Sequence, residues 1–430
     1  MPRACNIVWF KNDLRLHDHE ALVRACEKEL PVLGLFVIDP RWWEPHSLGF
    51  PRRGYFWCRF LKQALEDLRA RLQARGGTLL IRTGLPEDVV AEEAARHEAY
   101  AVYTSEEIAA YEKRQLNEVE KKLSARKIFL HRYAMNTLYH ESDIPWPIQR
   151  LPDVFTTFRK ELEAEATVRM AFEAPQRVAG AVARVADDAQ WPCQPEPLAE
   201  HPGSVITYAG GEAAAMERVR SYLWEKDLLK TYKETRNGLI GPDYSTKLSP
   251  APALGCISPR YIYQQVKKYE AERVANESTY WLVFELLWRD YFRFVMKKYG
   301  VRSFHRDGLR AIAKTWKNDK TAYGRWCQGE TGVAFVDANM RELLQTGFMS
   351  NRGRQIVASY LTKNLELDWR WGAAWFESRL IDYDVHSNWL NWAYIAGVGN
   401  DPRPNRYFNI ERQSQTYDPQ GLYRQLWLGS

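Results

Sequence analysis

Cysteine is scarce in this chain and is never spaced for a metal. The six cysteines (Cys5, Cys26, Cys58, Cys193, Cys256 and Cys327) are scattered over 430 residues, with no C-x-x-C and no histidine partner at zinc spacing. That argues against a zinc module and reads as neutral thiols in a reducing compartment. No secretory leader is expected, because residues 1–10 hold no apolar core of the needed length. No run is apolar enough to span a bilayer: the best, residues 280–295, is broken by Glu285, Arg289, Asp290 and Arg293. The expectation is a soluble protein of the cytoplasm or another intracellular compartment. Strong charge of one sign is also absent. Sixty Lys and Arg against 54 Asp and Glu leave +6, which permits a phosphate-binding face without demanding one. No G-x-G-x-x-G follows the first apolar run, so ordinary dinucleotide binding at that end is disfavoured.

What the chain has in excess is tryptophan. There are 17, as many as phenylalanine, and most lie beyond residue 190. Large rings often only fill cores, so the bias suggests a role without assigning one.

The first 130 residues alternate short apolar runs with helical periodicity. Residues 6–10, 32–38, 78–82, 101–104 and 128–131 read as buried strands, and 53–75 and 86–97 as helices, the second opened by Pro86 with Glu87 and Asp88 in its first turn. Such alternation predicts a doubly wound parallel sheet, an α/β domain over residues 1–132. A Pro-rich stretch (Pro145, Pro147, Pro192, Pro195, Pro197, Pro202) with one helical piece at 154–166 reads as a surface linker over 133–206. From about 207 to 430 the pattern is helical, with helices expected at 211–222, 259–269, 278–298, 323–328, 337–345, 352–363 and 371–378. The chain thus reads as an α/β domain joined to an all-α domain.

Several clusters could carry chemistry. In Tyr244-Ser-Thr-Lys-Leu-Ser-Pro250, Ser245, Thr246 and Ser249 flank Lys247, so hydroxyls, backbone donors and a cation that suit a pyrophosphate lie together. A polar surface turn would look the same, and Pro250 and Pro252 are expected to stop any helix from absorbing these donors. On a helix, Glu285, Trp288 and Arg289 share a face, although a simple ion pair with a core Trp has the same pattern. Asn351 and Arg354 lie one turn apart. Asp382 and Asp384, with Asn388, would raise each other's pKa unless a cation stood between them. Histidine support for a metal is lacking, and none is expected. Trp316, Trp369 and Trp392 sit in polar local settings, where they could fill core or pass electrons.

These motifs, taken together and in order, resemble the photolyase/cryptochrome family over nearly the whole chain. Ile7-Val-Trp-Phe-Lys-Asn-Asp-Leu-Arg-Leu16 is similar to its N-terminal signature. Leu151-Pro-Asp-Val-Phe155, Thr231-Tyr-Lys-Glu-Thr-Arg-Asn-Gly238 and His386-Ser-Asn-Trp389 resemble the DASH branch.

The resemblance implies a C-terminal helical domain holding FAD non-covalently. Tyr232, Ser245, Thr246, Lys247, Leu248 and Ser249 would hold its phosphates. Arg354, with the segment Asp382, Tyr383 and Asp384, would face the ring and its linker, and Asn388 the ring's reactive nitrogen. Trp392, Trp369 and Trp316 would relay electrons from the flavin to the surface. Glu285, Trp288, Asn351 and Gln413 would line a pocket for a damaged base, with Arg289 touching either ligand. The implied activity is light-driven splitting of cyclobutane pyrimidine dimers by one electron from reduced flavin. Because the lesion must leave the base stack, single-stranded or looped DNA is the expected partner, with the protein a monomer. The alternative is a blue-light receptor. Repair of the (6-4) photoproduct would need a histidine acid near Asn351, and none stands there. Glu112 resembles the acid that holds an antenna chromophore, methenyltetrahydrofolate in this branch. Leu390 and Ala393 stand where Gly and Gln are expected, beside Trp392. Tyr394 stands where other branches have Trp.

Overall fold

In a computed structural model, residues 5–180, 186–191, 201–403 and 406–429 are described. Cys193 and prolines 192, 195 and 197 lie outside them. Five parallel strands, β1 (Cys5–Phe10), β2 (Val32–Ile38), β3 (Thr78–Thr83), β4 (Ala99–Ser105) and β5 (Phe129–Tyr133), form one sheet in the order β3-β2-β1-β4-β5. β1 and β2 are buried along their whole length, the continuous apolar burial of a sheet covered on both faces. Alternation divides β1 between two cores. Ile7 and Trp9 pack with the inner face of helices Pro86–Arg96 and Ala110–Ser124. Val8 and Phe10 join a second core that runs without interruption into the helical half.

That continuity makes one body of the two halves. Arg15 is fully buried where they meet, donating to the carbonyls of Asp18, Met135 and Gly255. Gly255 has φ +68, and a Cβ there would overlap the Asn12 carbonyl, so the chain passes closely enough to require glycine. The connecting stretch carries the helical piece expected at 154–166. Phe155, Phe158 and Leu162 of its helix Phe155–Glu165 are buried, and Asp187 and Asp188 accept from the Ile81 and Thr83 amides of β3.

The helical half is arranged around Glu277–Tyr299, whose start carries a capping box of Asn276 and Thr279. Helices Ala110–Ser124, Val385–Ala396, Ile410–Tyr417 and Leu422–Leu428 are additional to those expected from periodicity. Val385–Ala396 is buried on most sides and turns its polar residues Ser387, Asn388 and Asn391 to a cavity, and its start is set by the Asp384 side chain capping Ser387 N–H. After Ser249 a single helical turn, Pro250–Ala253, begins at the first proline, which fits the first helical position, and residues 245–248 stay outside it. The segments expected as helices at 211–222 and 352–363 end in wider π-helical turns at Arg220–Glu225 and Tyr360–Asn364.

Candidate functional site

A cavity of about 320 Å³ opens in the helical half. Its walls bring together Tyr232, at the start of the short helix Tyr232–Thr235, with Ser245, Thr246, Lys247, Leu248 and Ser249 of the polar loop. Opposite them stand Arg354, Asp382, Asp384, Asn388 and Trp392, with Glu285, Arg289 and Asn351 on the rest of the wall. These groups are separated by up to 160 residues in sequence (232 to 392) and meet only through tertiary packing.

The loop is held open by Arg218, which donates to the carbonyls of Thr246 at 2.8 Å, Pro242 at 2.8 Å and Ser245 at 3.2 Å. With its carbonyls turned to Arg218, the loop leaves Lys247 (φ +56) pointing inward, 3.0 Å above the Tyr244 ring. The Lys247 Nζ, the Tyr244 hydroxyl, Asp382 Oδ1 and Gln355 Oε1 are buried with no hydrogen-bond partner among the described residues. Burial holds the Lys247 ammonium well below the usual lysine range, with Glu342 opposing. A buried cation and unpaired polar atoms around one cavity fit a ligand with an anionic end and a hydrogen-bonding ring.

The two aspartates each have a guanidinium of their own. Arg354 bonds Asp382 at 2.7 Å, and Arg293 bonds Asp384 at 2.8 Å. Burial would raise the Asp384 carboxyl, but Arg293 and His386 hold it far below the ordinary range. Sequence reasoning missed Arg293, Arg218 and Arg236. Arg293 follows Glu285 and Arg289 at steps of four on one helix, so its periodicity was the signal. Arg236 binds Glu285 at 2.6 Å and opposes the upward push of burial on that carboxyl. Arg289 donates to the Asn136 and Pro252 carbonyls, the latter at 3.2 Å. Asn388 spends its Nδ2 on the Ala373 carbonyl at 2.9 Å, which sets the orientation of the amide.

Three residues expected at a ligand pocket here lie outside this cavity wall. Tyr383, between the two aspartates, turns to a second cavity, where its ring lies 4.3 Å from the Arg53 guanidinium. Trp288 does not share the cavity with Glu285 and Arg289. One face of its ring is stacked on Phe155 at 3.7 Å and its edge meets Tyr394. Gln413 lies on helix Ile410–Tyr417, outside the wall. Trp316 is not at the surface: it is 4% exposed, and Trp369 is wholly buried. Trp392 packs edge-on against Phe376 at 5.0 Å, and Gly372 lies under its ring. Arg306 connects the other two, donating to the Trp316 carbonyl and accepting from the Trp369 indole through its own carbonyl.

The second cavity, of about 480 Å³, sits beyond the carboxyl ends of β1 and β2 and is closed by Phe304, Glu377 and Trp389 of the helical half. The strand order reverses beside β1, so this is the crevice where open α/β sheets take ligands. Glu112 lines it, pushed up to about 7 by burial and by Glu107.

Comparison with known proteins agrees with this arrangement. Residues 6–177 match the family described as DNA photolyase, and residues 281–430 the FAD binding domain of DNA photolyase. A Cryptochrome DASH of Synechocystis sp. is 49% identical over 425 residues, covering 98% of this chain and 87% of the relative. The chain belongs to the photolyase/cryptochrome family, in its DASH branch. A second DASH cryptochrome, from Danio rerio, is 47% identical over 98% of this chain and 82% of its own length. The crystal structure of the Synechocystis cryptochrome superposes with a TM-score of 0.97 at 49% identity, covering 100% of this chain and 89% of that one. A bacterial class III photolyase from Agrobacterium tumefaciens superposes at 0.86 with 27% identity, covering 100% and 87%. The helical half of this DASH-branch chain is thus a FAD-binding domain. Among the described residues no helix is long and apolar enough to cross a membrane.

Proposed function

We propose that this chain repairs cyclobutane pyrimidine dimers, chiefly in single-stranded or looped DNA, using blue light and FAD. The observation that carries the reading is that one cavity has two kinds of wall. Lys247, Ser245 and Ser249 on one side suit a pyrophosphate, while Glu285 and Asn351 at the same cavity offer hydrogen bonds to a pyrimidine edge. Reduced FAD, when bound and excited by light, supplies the single electron that opens the dimer and receives it back.

The protein's part is position and charge. Lys247 neutralises phosphate. Arg354 pairs with Asp382, and Arg293 keeps Asp384 ionised, at the ring side of the cavity. Asn388 presents an oriented amide, and Trp392 stands against the wall as the nearest of the three tryptophans that would relay electrons inward. Glu112 in the second cavity suits the ring N–H groups of an antenna, methenyltetrahydrofolate.

A second reading, a blue-light receptor, is favoured by a separate pair of contacts. Arg236 already occupies Glu285, and Phe155 already covers a face of Trp288. Illumination of the reduced protein with a dimer-containing oligonucleotide separates the two. Recovery of pyrimidine absorbance, faster on single strands, is expected. No recovery on any strand form with FAD bound and reduced would leave the receptor reading.

A further inference from the structure

Between the two large cavities lies a third, small and polar, of about 30 Å³. Asp384 lines both it and the flavin cavity, while Glu112, Arg53 and Tyr383 line both it and the second cavity. His386 completes its wall. That side chain is 3% exposed, and its Nδ1 lies 3.4 Å from Asp384 Oδ2. Its Nε2 and the Glu112 Oε2 are buried with no hydrogen-bond partner among the described residues. The space suits one water molecule, which needs roughly two to four polar neighbours.

We propose that a water held between Glu112 and His386 completes a proton link from the second cavity to Asp384 at the wall of the flavin cavity. Glu112 gives its carboxylic proton to the water, and the water gives one of its own to His386 Nε2. The imidazole passes its Nδ1 proton to Asp384 Oδ2. One proton has crossed, no electron has moved, and the histidine ends neutral with its proton on the other nitrogen.

The surrounding charges fit this traffic. Burial and the neighbouring Glu107, itself paired with Lys11 at 2.9 Å, push Glu112 up to about 7, far enough for the carboxyl to carry a proton that it can give up. Arg53 faces the chamber too, but its charge is shared with Glu377 at 2.8 Å. Burial and Arg293 hold His386 below the usual imidazole range, which keeps the ring neutral and able to carry a proton from one nitrogen to the other. Arg293 and Arg289 both favour the Asp384 anion, so at rest the proton stays on Glu112. Negative charge arriving in the flavin cavity tips the balance toward Asp384. The link goes beyond the repair reading and needs no DNA, so either can fail alone.

Infrared spectra of the purified flavoprotein, taken against pH and before and after chemical reduction in the dark, test it. A carboxylic C=O band titrating near 7, sensitive to D2O and missing in Glu112→Gln, is expected. Reduction should diminish that band in the unaltered protein and leave it in place in His386→Leu. Where the Leu variant does not fold, His386→Gln serves, since an amide cannot exchange a proton between two nitrogens. A Glu112 band that titrates in the ordinary carboxylate range overturns the proposal. So does equal loss of the band on reduction with and without His386.

Discussion

The Lys247 ammonium lies 3.0 Å from the centre of the Tyr244 ring and has no hydrogen-bond partner among the described residues. A cation so placed costs stability until a phosphate arrives. Lys247→Met is therefore expected to act in opposite directions on two states. Without FAD the variant should be more stable by about 1–3 kcal/mol, as a buried unpaired charge becomes apolar. Its affinity for FAD should fall by roughly ten- to a hundredfold, the loss of a charge-assisted hydrogen bond. Thermal melts of the flavin-free and flavin-loaded protein, with a flavin titration, check both signs.

Trp392→Phe should retain FAD and slow its photoreduction, because phenylalanine fills most of the same space but is far harder to oxidise. The flavin content and the bleaching rate under blue light measure this. Unchanged kinetics would remove Trp392 from the electron path.

Gly372 tests the position of that indole independently. A Cβ at 372 would overlap the six-membered ring of Trp392. Gly372→Ala should lower stability by about 1–3 kcal/mol, the usual cost of overpacking a core. It should also change the photoreduction rate, although the indole itself is kept. Melting temperature and bleaching rate read the two effects.

Glu212 predicts how stability depends on pH. Burial would raise its carboxyl, but His17, the Leu16 amide and Arg71 hold it at about 2. A carboxyl lowered by folding contributes fully above its ordinary value of 4.5, and the contribution fades as pH falls from there toward about 2. Glu212→Gln should cost on the order of 3 kcal/mol at neutral pH and flatten the acid limb of the stability curve. Denaturant midpoints of both proteins from neutral pH to acid provide the comparison.

Much of this molecule is local and therefore legible. Buried parallel strands need unbroken apolar runs, so residues 32–38 announced β2 to the residue. Pro86 with its acidic first turn marked a helix start, and the Ser-Thr-Lys-Leu-Ser loop displayed its chemistry in five consecutive letters. Helix Val385–Ala396 was hidden for the converse reason: its polar residues Ser387, Asn388 and Asn391 line the flavin cavity, while mostly apolar residues cover its other sides.

Direction and partnership were decided only when the chain closed on itself. Three successive residues, Asp382, Tyr383 and Asp384, face two different cavities, and Trp288 turns to Phe155 although Glu285 on the same helix faces the flavin cavity. Asp384 finds its counter-ion 91 residues away in Arg293. The physical reason is range. Backbone preference and hydrophobic period act over a few neighbours and are written in order along the chain. A side chain's partner depends on packing between segments that meet only in the finished fold.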